Sequence, residues 1–101
     1  MSAATLSPAG ALAWICSLSI DVREAAVLDA SGAVLAGDPA VGARAATALR
    51  AADPAAREVR EGDLMAVRAG GHAVAAALGG LALERVARHD LAAAAQALGS
   101  T

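Results

Sequence analysis

The sequence predicts a single α/β (α+β) domain whose elements follow the order helix, two strands, helix, three strands, helix. Three observations favour it: a β-hairpin in residues 24–37, glycine-containing turns that divide residues 56–78 into three short strands, and a helical repeat of apolar residues near the C terminus. A lone hairpin cannot bury its own faces, so helices must cover it. We expect the domain to span residues 8–98, between flexible tails at residues 1–7 and 99–101.

The first helix is predicted over residues 8–18. Ser7 can cap its free N–H groups, and Pro8 fits the first turn. The face at helical spacing carries Leu12, Ile15, Cys16 and Ser19. We therefore expect Cys16 to be a buried, unreactive thiol. Trp14 lies off this face and has two interpretations, since it either packs along the edge of the core or anchors a partner.

The hairpin that follows consists of strand 1 over residues 23–29 and strand 2 over residues 33–36. Ser31 and Gly32 lie between them and predict a tight turn, because glycine reaches positive φ without a Cβ clash. Asp38 and Pro39 then repeat the helix-start signal. Helix 2 continues to about residue 52, before the Asp53-Pro54 dipeptide. Its apolar face carries Val41, Ala45, Ala48, Leu49 and Ala52.

Three further strands are predicted over residues 57–61, 64–68 and 72–78, separated by turns at Gly62-Asp63 and Gly70-Gly71. The alanine run in the last strand has helical propensity. Seven residues between two glycine pairs are too few for a stable helix, however, so a strand is expected. Helix 3 follows Gly79-Gly80 and ends at Gly99. Its apolar face repeats Leu83, Val86, Ala87, Leu91, Ala94 and Leu98.

The composition predicts a weakly held core. The chain is 57% hydrophobic but only 1% aromatic, and alanine supplies nearly a third of it. Alanine buries little area, so each residue gains less from burial than leucine, isoleucine or phenylalanine would. Self-association or a partner is therefore the favoured source of additional stability.

The charge pattern argues against nucleic acid as a partner. The formal net charge is −2, every basic residue is arginine, and acidic residues adjoin half of the arginines, as in Arg23-Glu24 and Glu84-Arg85. Nucleic-acid binding needs a basic stripe instead. The apolar run at residues 9–18 is too short to span a membrane, and no basic residue precedes Arg23, so a cytoplasmic protein is expected.

The sequence offers no recognisable catalytic or metal-binding constellation. A single cysteine excludes an intramolecular disulfide and a cysteine-based zinc site. His72 follows a glycine pair in a predicted turn. His89 and Asp90 are neighbours on a helix, where their side chains diverge by about 100°. We therefore expect neither an enzyme nor a cofactor-binding protein.

The element order resembles that of the Roadblock/LC7 family, whose domains arrange it around a five-stranded antiparallel sheet in a profilin-like architecture. The likeness covers residues 8–98. It is carried by the hairpin at residues 24–37, Asp38-Pro39, the Gly62-Asp63 and Gly70-Gly71 turns, and the closing helix. The resemblance implies a non-enzymatic dimeric scaffold whose sheets join edge to edge and, as in several members, a Ras-like small GTPase as partner. No residue can be assigned as an arginine finger.

Strand 3 carries a self-complementary charge pattern. Its residues are Arg57, Glu58, Val59, Arg60 and Glu61. If two copies pair antiparallel about Val59, Arg57 meets Glu61 of the other chain and Glu58 meets Arg60. This predicts a homodimer, supported by helix 2 contacts through Val41, Arg44, Ala45, Ala48 and Leu49. The alternative is a charged edge strand that repels other edges.

The preferred function is therefore a dimeric interaction module that regulates, or serves as adaptor for, a small GTPase. The alternative is a PAS-like or profilin-like domain whose sheet cups a small molecule. Alanine lining leaves room for such a ligand, but few polar groups converge to orient it.

Overall fold

The computed structural model describes residues 7–17, 22–80 and 84–98. The predicted element order is confirmed. The elements are α1 (Pro8–Ser17), β1 (Val22–Asp29), β2 (Val34–Gly37), α2 (Pro39–Ala51), β3 (Glu58–Glu61), β4 (Leu64–Ala69), β5 (His72–Leu78) and α3 (Glu84–Ala97). The predictions for residues 1–6 and 99–101, for the end of helix 1 with Ser19, and for Leu83 lie outside the described residues.

The strands form one five-stranded antiparallel sheet in the order β2-β1-β5-β4-β3. The last strand, β5, lies at the centre between β1 and β4. Its alanine run is a strand, as predicted, because hydrogen-bonded neighbours on both sides outweigh the helical propensity of alanine. Strands β2 and β3 form the two edges of the sheet.

Helices cover both faces of the sheet. Side chains of β5 alternate, so that Val74, Ala76 and Leu78 pack with α1 and α3, whereas Ala73, Ala75 and Ala77 pack beneath α2. No polar or charged residue of the described segments is buried. In the same segments, no helix combines the length and apolar composition that crossing a bilayer requires.

The α2 helix begins as the sequence predicts and lies close to the sheet edge. The Ala40 N–H donates to Oδ1 of Asp38 at 2.8 Å, and Pro39 occupies the first helical position. Gly42 is buried in the first turns. A methyl group at this position would overlap Cγ2 of Val34 on β2, well inside the 3.4 Å at which ordinary contact begins. The glycine therefore permits the close approach of α2 to β2.

The loop between β1 and β2 is one residue longer than the predicted strand bounds allow. Oδ1 of Asp29 accepts hydrogen bonds from the Ser31 N–H at 2.9 Å, the Ser31 hydroxyl at 2.7 Å and the Ala33 N–H at 3.0 Å. The carboxylate thus organises a four-residue loop, in which Gly32 has a φ of +91°. These bonds, with the Ser31 hydroxyl first, lower the pKa of Asp29.

The structure corrects two predicted helix faces. Cys16 is exposed rather than buried, because Ala11 and Ile15 form the buried face of α1 and Cys16 is rotated about 100° from Ile15. Val86 is 40% exposed, although the repeat placed it on the core face of α3. Trp14 is partly buried against the core between α1, α3 and the sheet, which confirms the core-edge interpretation.

Candidate protein interface at the β3 edge

The backbone of β3 presents an open, regular edge. Its four residues pair with β4 in unbroken register, from Glu58 opposite Val67 to Glu61 opposite Leu64. One residue before the strand, the carbonyl of Arg57 accepts from the Arg68 N–H at 2.8 Å. Hydrogen-bonded and non-bonded positions alternate in an antiparallel ladder. The N–H and C=O groups of Glu58 and Arg60 therefore point away from β4, toward the open edge.

The side chains of Glu58 and Arg60 lie on the face covered by α3. The Arg88 Nε–H donates to Oε2 of Glu58 at 2.7 Å, and Arg60 lies 3.4 Å from Glu84. Glu84 and Arg88 are also within 3.5 Å across one helical turn. The hydrogen bond from Arg88 to Glu58 is the main reason that the pKa of Arg88 is raised.

These ion pairs position the charged side chains at the edge but add little to the stability of the chain. The four side chains retain between 37% and 51% of their exposure, so water screens each ion pair strongly. The pairs nevertheless hold the two edge side chains against α3. Opposite charges therefore alternate along the edge in the structure.

The other face of β3 borders α2. Val59 is partly buried against the core beneath that helix, while Arg57 and Glu61 are exposed. Beside them, Arg44 of α2 donates to Oδ1 of Asp63 in the β3–β4 turn at 2.7 Å. This hydrogen bond lowers the pKa of Asp63. The contact ties α2 to the hairpin that carries the edge.

The structure corrects the helix part of the predicted interface. Val41, Ala45 and Ala48 are buried against the sheet, so they are not on the surface that a partner would meet. Their small size serves the packing of α2 on alanine-rich strands. Arg44 remains exposed and Leu49 is partly buried. The strand residues of the predicted interface all retain exposure at the edge, and their role in an interface stays a prediction.

The opposite edge of the sheet is unlike β3. Strand β2 pairs with β1 through an irregular register, in which Val27 faces Ala36 but Leu28 faces Val34, leaving Leu35 as an extra residue. Such a bulge disrupts the regular spacing that a further strand would need. Val34 and Leu35 are exposed on this edge. Of the two edges, β3 is therefore the one suited to strand pairing.

The residues considered for chemistry lie apart. Cys16 is on α1, His89 and Asp90 are on α3, and His72 is the first residue of β5, as predicted. Within the segments described, the His72 Nδ1 atom is buried without a hydrogen-bond partner. Nowhere in those segments do three metal-ligating side chains converge. Among the described residues, the candidate site is therefore a surface at the β3 edge.

The candidate interface consists of the regular β3 edge, its outward backbone groups and the alternating charges of Glu58 and Arg60. No protein-family model matches the chain, and no similar curated protein or solved structure was found.

Proposed function

We propose that the protein is a non-enzymatic interaction module that forms a homodimer by antiparallel pairing of two β3 strands. The observation that carries this proposal is the regular β3 edge, where the outward backbone groups belong to Glu58 and Arg60. In the register centred on Val59, these two residues form hydrogen-bonded pairs across the two-fold axis. The backbone alternation and the charge alternation thus favour the same register.

The charges set the register more than the affinity. Opposite charges facing each other across a ladder contribute roughly 0.2 to 1 kcal/mol per pair. Glu58 and Arg60 already pair with α3, so in the dimer each would share its charge between α3 and the partner strand. The outward N–H and C=O groups of both strands supply further hydrogen bonds in the dimer. Because the alanine-rich core gains little from burial, the additional contacts of a dimer would stabilise the fold.

The proposal is tested by comparing Arg60→Pro with Arg60→Ala in sedimentation velocity. The Arg60 N–H faces the open edge, so proline removes no hydrogen bond from the β3–β4 ladder. Both variants lose the Glu84 ion pair, which makes alanine the matched control. We expect the unsubstituted protein and Arg60→Ala to be dimers and Arg60→Pro to be a monomer. A monomeric unsubstituted protein, or a proline variant that dimerises as well as the alanine variant, would contradict the proposal.

Charge reversal tests the register separately. Changing Arg57 and Arg60 to glutamate places like charges opposite each other at every charged position of the register centred on Val59. We expect a monomer, because like charges directly opposite destabilise a ladder. An unchanged dimer would rule out the register centred on Val59. It would not rule out strand pairing as such, which the Arg60→Pro variant tests.

We further propose that the module acts in the cytoplasm on a Ras-like small GTPase. Support comes from the resemblance of the element order to the Roadblock/LC7 family. A binding partner shifts a nucleotide-dependent equilibrium only through different affinities for its two states. In a pull-down from cytoplasmic extract, we therefore expect the dimer to recover more of a GTPase in one nucleotide state, GDP-bound or GTP-bound, than in the other. Recovery of no GTPase, with GDP or with a non-hydrolysable GTP analogue added, would count against this part.

A further inference from the structure

A cleft opens at the end of the sheet farthest from the start of α2. Its volume is about 430 Å³, which lies within the range of small-molecule sites. The cleft is bounded by the β1–β2 turn, the second half of α2, the α2–β3 loop and the β4–β5 turn. It is distinct from the outward β3 edge, because none of the residues Glu58 to Glu61 lines it.

One wall of the cleft holds a positioned arginine. The Arg68 Nε–H donates to the carbonyl of Ala56 at 2.6 Å, and its Nη2–H donates to the carbonyl of Asp53 at 2.7 Å. Both acceptors are neutral, and none of the ion pairs among the described residues involves Arg68. A guanidinium has five N–H donors in a rigid plane, so donors remain after these two bonds. The two loop carbonyls thus hold the Arg68 guanidinium in place, and no ion pair among the described residues neutralises its charge.

A second arginine, Arg50, lines the cleft from α2. It is exposed and likewise takes no part in the ion pairs found within the described segments. The acidic residue in the lining is Asp29. Its Oδ1 atom already accepts three hydrogen bonds from its own turn, and these bonds lower its pKa. The lining therefore carries more positive than negative charge.

The remaining lining combines apolar side chains with the polar residues Ser31 and His72. It includes Ala46 and Leu49 of α2, Pro54 and Ala56 of the following loop, and Ala73 of β5. A ligand that matches this arrangement has an oxyanion to meet the guanidinium groups and a short apolar body to cover the alanine and leucine side chains.

We propose that this cleft binds a small organic anion, with the oxyanion held by Arg50 and Arg68 and an apolar body against Leu49. The shared chemistry is that of a carboxylate or a phosphate monoester. Because Arg68 is held in place before the ligand arrives, binding costs less ordering of that side chain. The site is independent of the proposed dimer, so failure of either proposal leaves the other standing.

The test titrates the 101-residue chain with hexanoate, hexyl phosphate and uncharged 1-hexanol and follows the backbone amides by NMR. Gly32, Gly70 and Gly71 line the cleft and report on its occupancy. We expect at least one of the two anions to shift these amides saturably in the millimolar range, and hexanol not to. Saturation by hexanoate alone assigns a carboxylate site, and saturation by hexyl phosphate alone assigns a phosphate-ester site. No saturable shift with either anion, or equal shifts with hexanol, would overturn the proposal.

Arg50→Gln and Arg85→Gln form the matched pair of variants. Both arginines are exposed on helices, but Arg85 on α3 does not line the cleft. We expect Arg50→Gln to weaken binding of the effective anion at least about tenfold, the loss typical of a charge-assisted hydrogen bond, and Arg85→Gln to leave it unchanged. Equal affinities for the two variants would overturn the assignment. The Arg60→Pro variant, which is expected to be a monomer, should bind the anion as the unsubstituted protein does.

Discussion

Replacing Gly42 by alanine is expected to reveal how closely α2 lies against β2. Alanine is favoured over glycine by about 1 kcal/mol inside a helix. Here its methyl group would overlap Cγ2 of Val34, and overpacking of this kind costs about 1 to 3 kcal/mol. We therefore expect Gly42→Ala to be between neutral and about 2 kcal/mol destabilising in the unsubstituted protein. Shortening Val34 to alanine removes the overlapping atom and leaves its Cβ 3.5 Å from the new methyl group.

The assay is a double-mutant cycle by urea unfolding, with all four proteins at one concentration because association adds to apparent stability. Gly42→Ala should stabilise the Val34→Ala background by about 1 kcal/mol, as helix propensity alone predicts. Val34→Ala by itself should cost little, since the side chain is 38% exposed. Additive effects of the two substitutions would show that α2 is not held against Val34 and would refute the packing described here.

Two further predictions concern the core and the first hairpin. Leu91→Ala removes a fully buried side chain and should cost about 2 to 5 kcal/mol in urea unfolding, whereas Val86→Ala, at a 40% exposed position on the same helix, should stay within about 0.5 kcal/mol; similar losses would mean that α3 faces the sheet differently. Asp29→Asn should lower the melting temperature at neutral pH. Because the pKa of Asp29 is lowered in the folded state, its contribution is present above the unfolded carboxyl pKa of 3.8 and is lost as pH falls through the folded value. The difference between variant and unsubstituted protein should therefore shrink on acidification, and a difference that is constant with pH would contradict the role of the carboxylate.

Much of the fold could be predicted because glycines mark its reversals. The alanine run of β5 shows this best, since propensity alone favours a helix there. The short distance between Gly70-Gly71 and Gly79-Gly80 left room only for a strand, and the structure confirms it. Asp38 and Pro39 were equally informative, because capping is a local property that the sequence displays directly.

The errors arose where the local sequence pattern was used to predict which face of a helix is buried and what covers it. Helix α1 is apolar on nearly every side, so its sequence does not distinguish the face of Ile15 from that of Cys16. For α2, the sequence identified a face of small residues but could not show that the sheet, rather than a second chain, covers it. The ion pairs between β3 and α3 join residues far apart in the chain, and the cleft needs four segments to meet. Neither has a signature in local spacing.

The unlike edges of the sheet limit the size of any assembly built by strand addition. The β3 edge pairs with β4 in unbroken register and is the edge proposed to accept a copy of itself, whereas the β2 edge is interrupted at Leu35. Pairing of one edge with the unlike edge of the next molecule would continue into a fibre. Pairing of two identical edges instead ends with a closed dimer. We therefore expect the extra residue in β2 to keep the proposed dimer from growing further, and deletion of Leu35 to permit polymerisation.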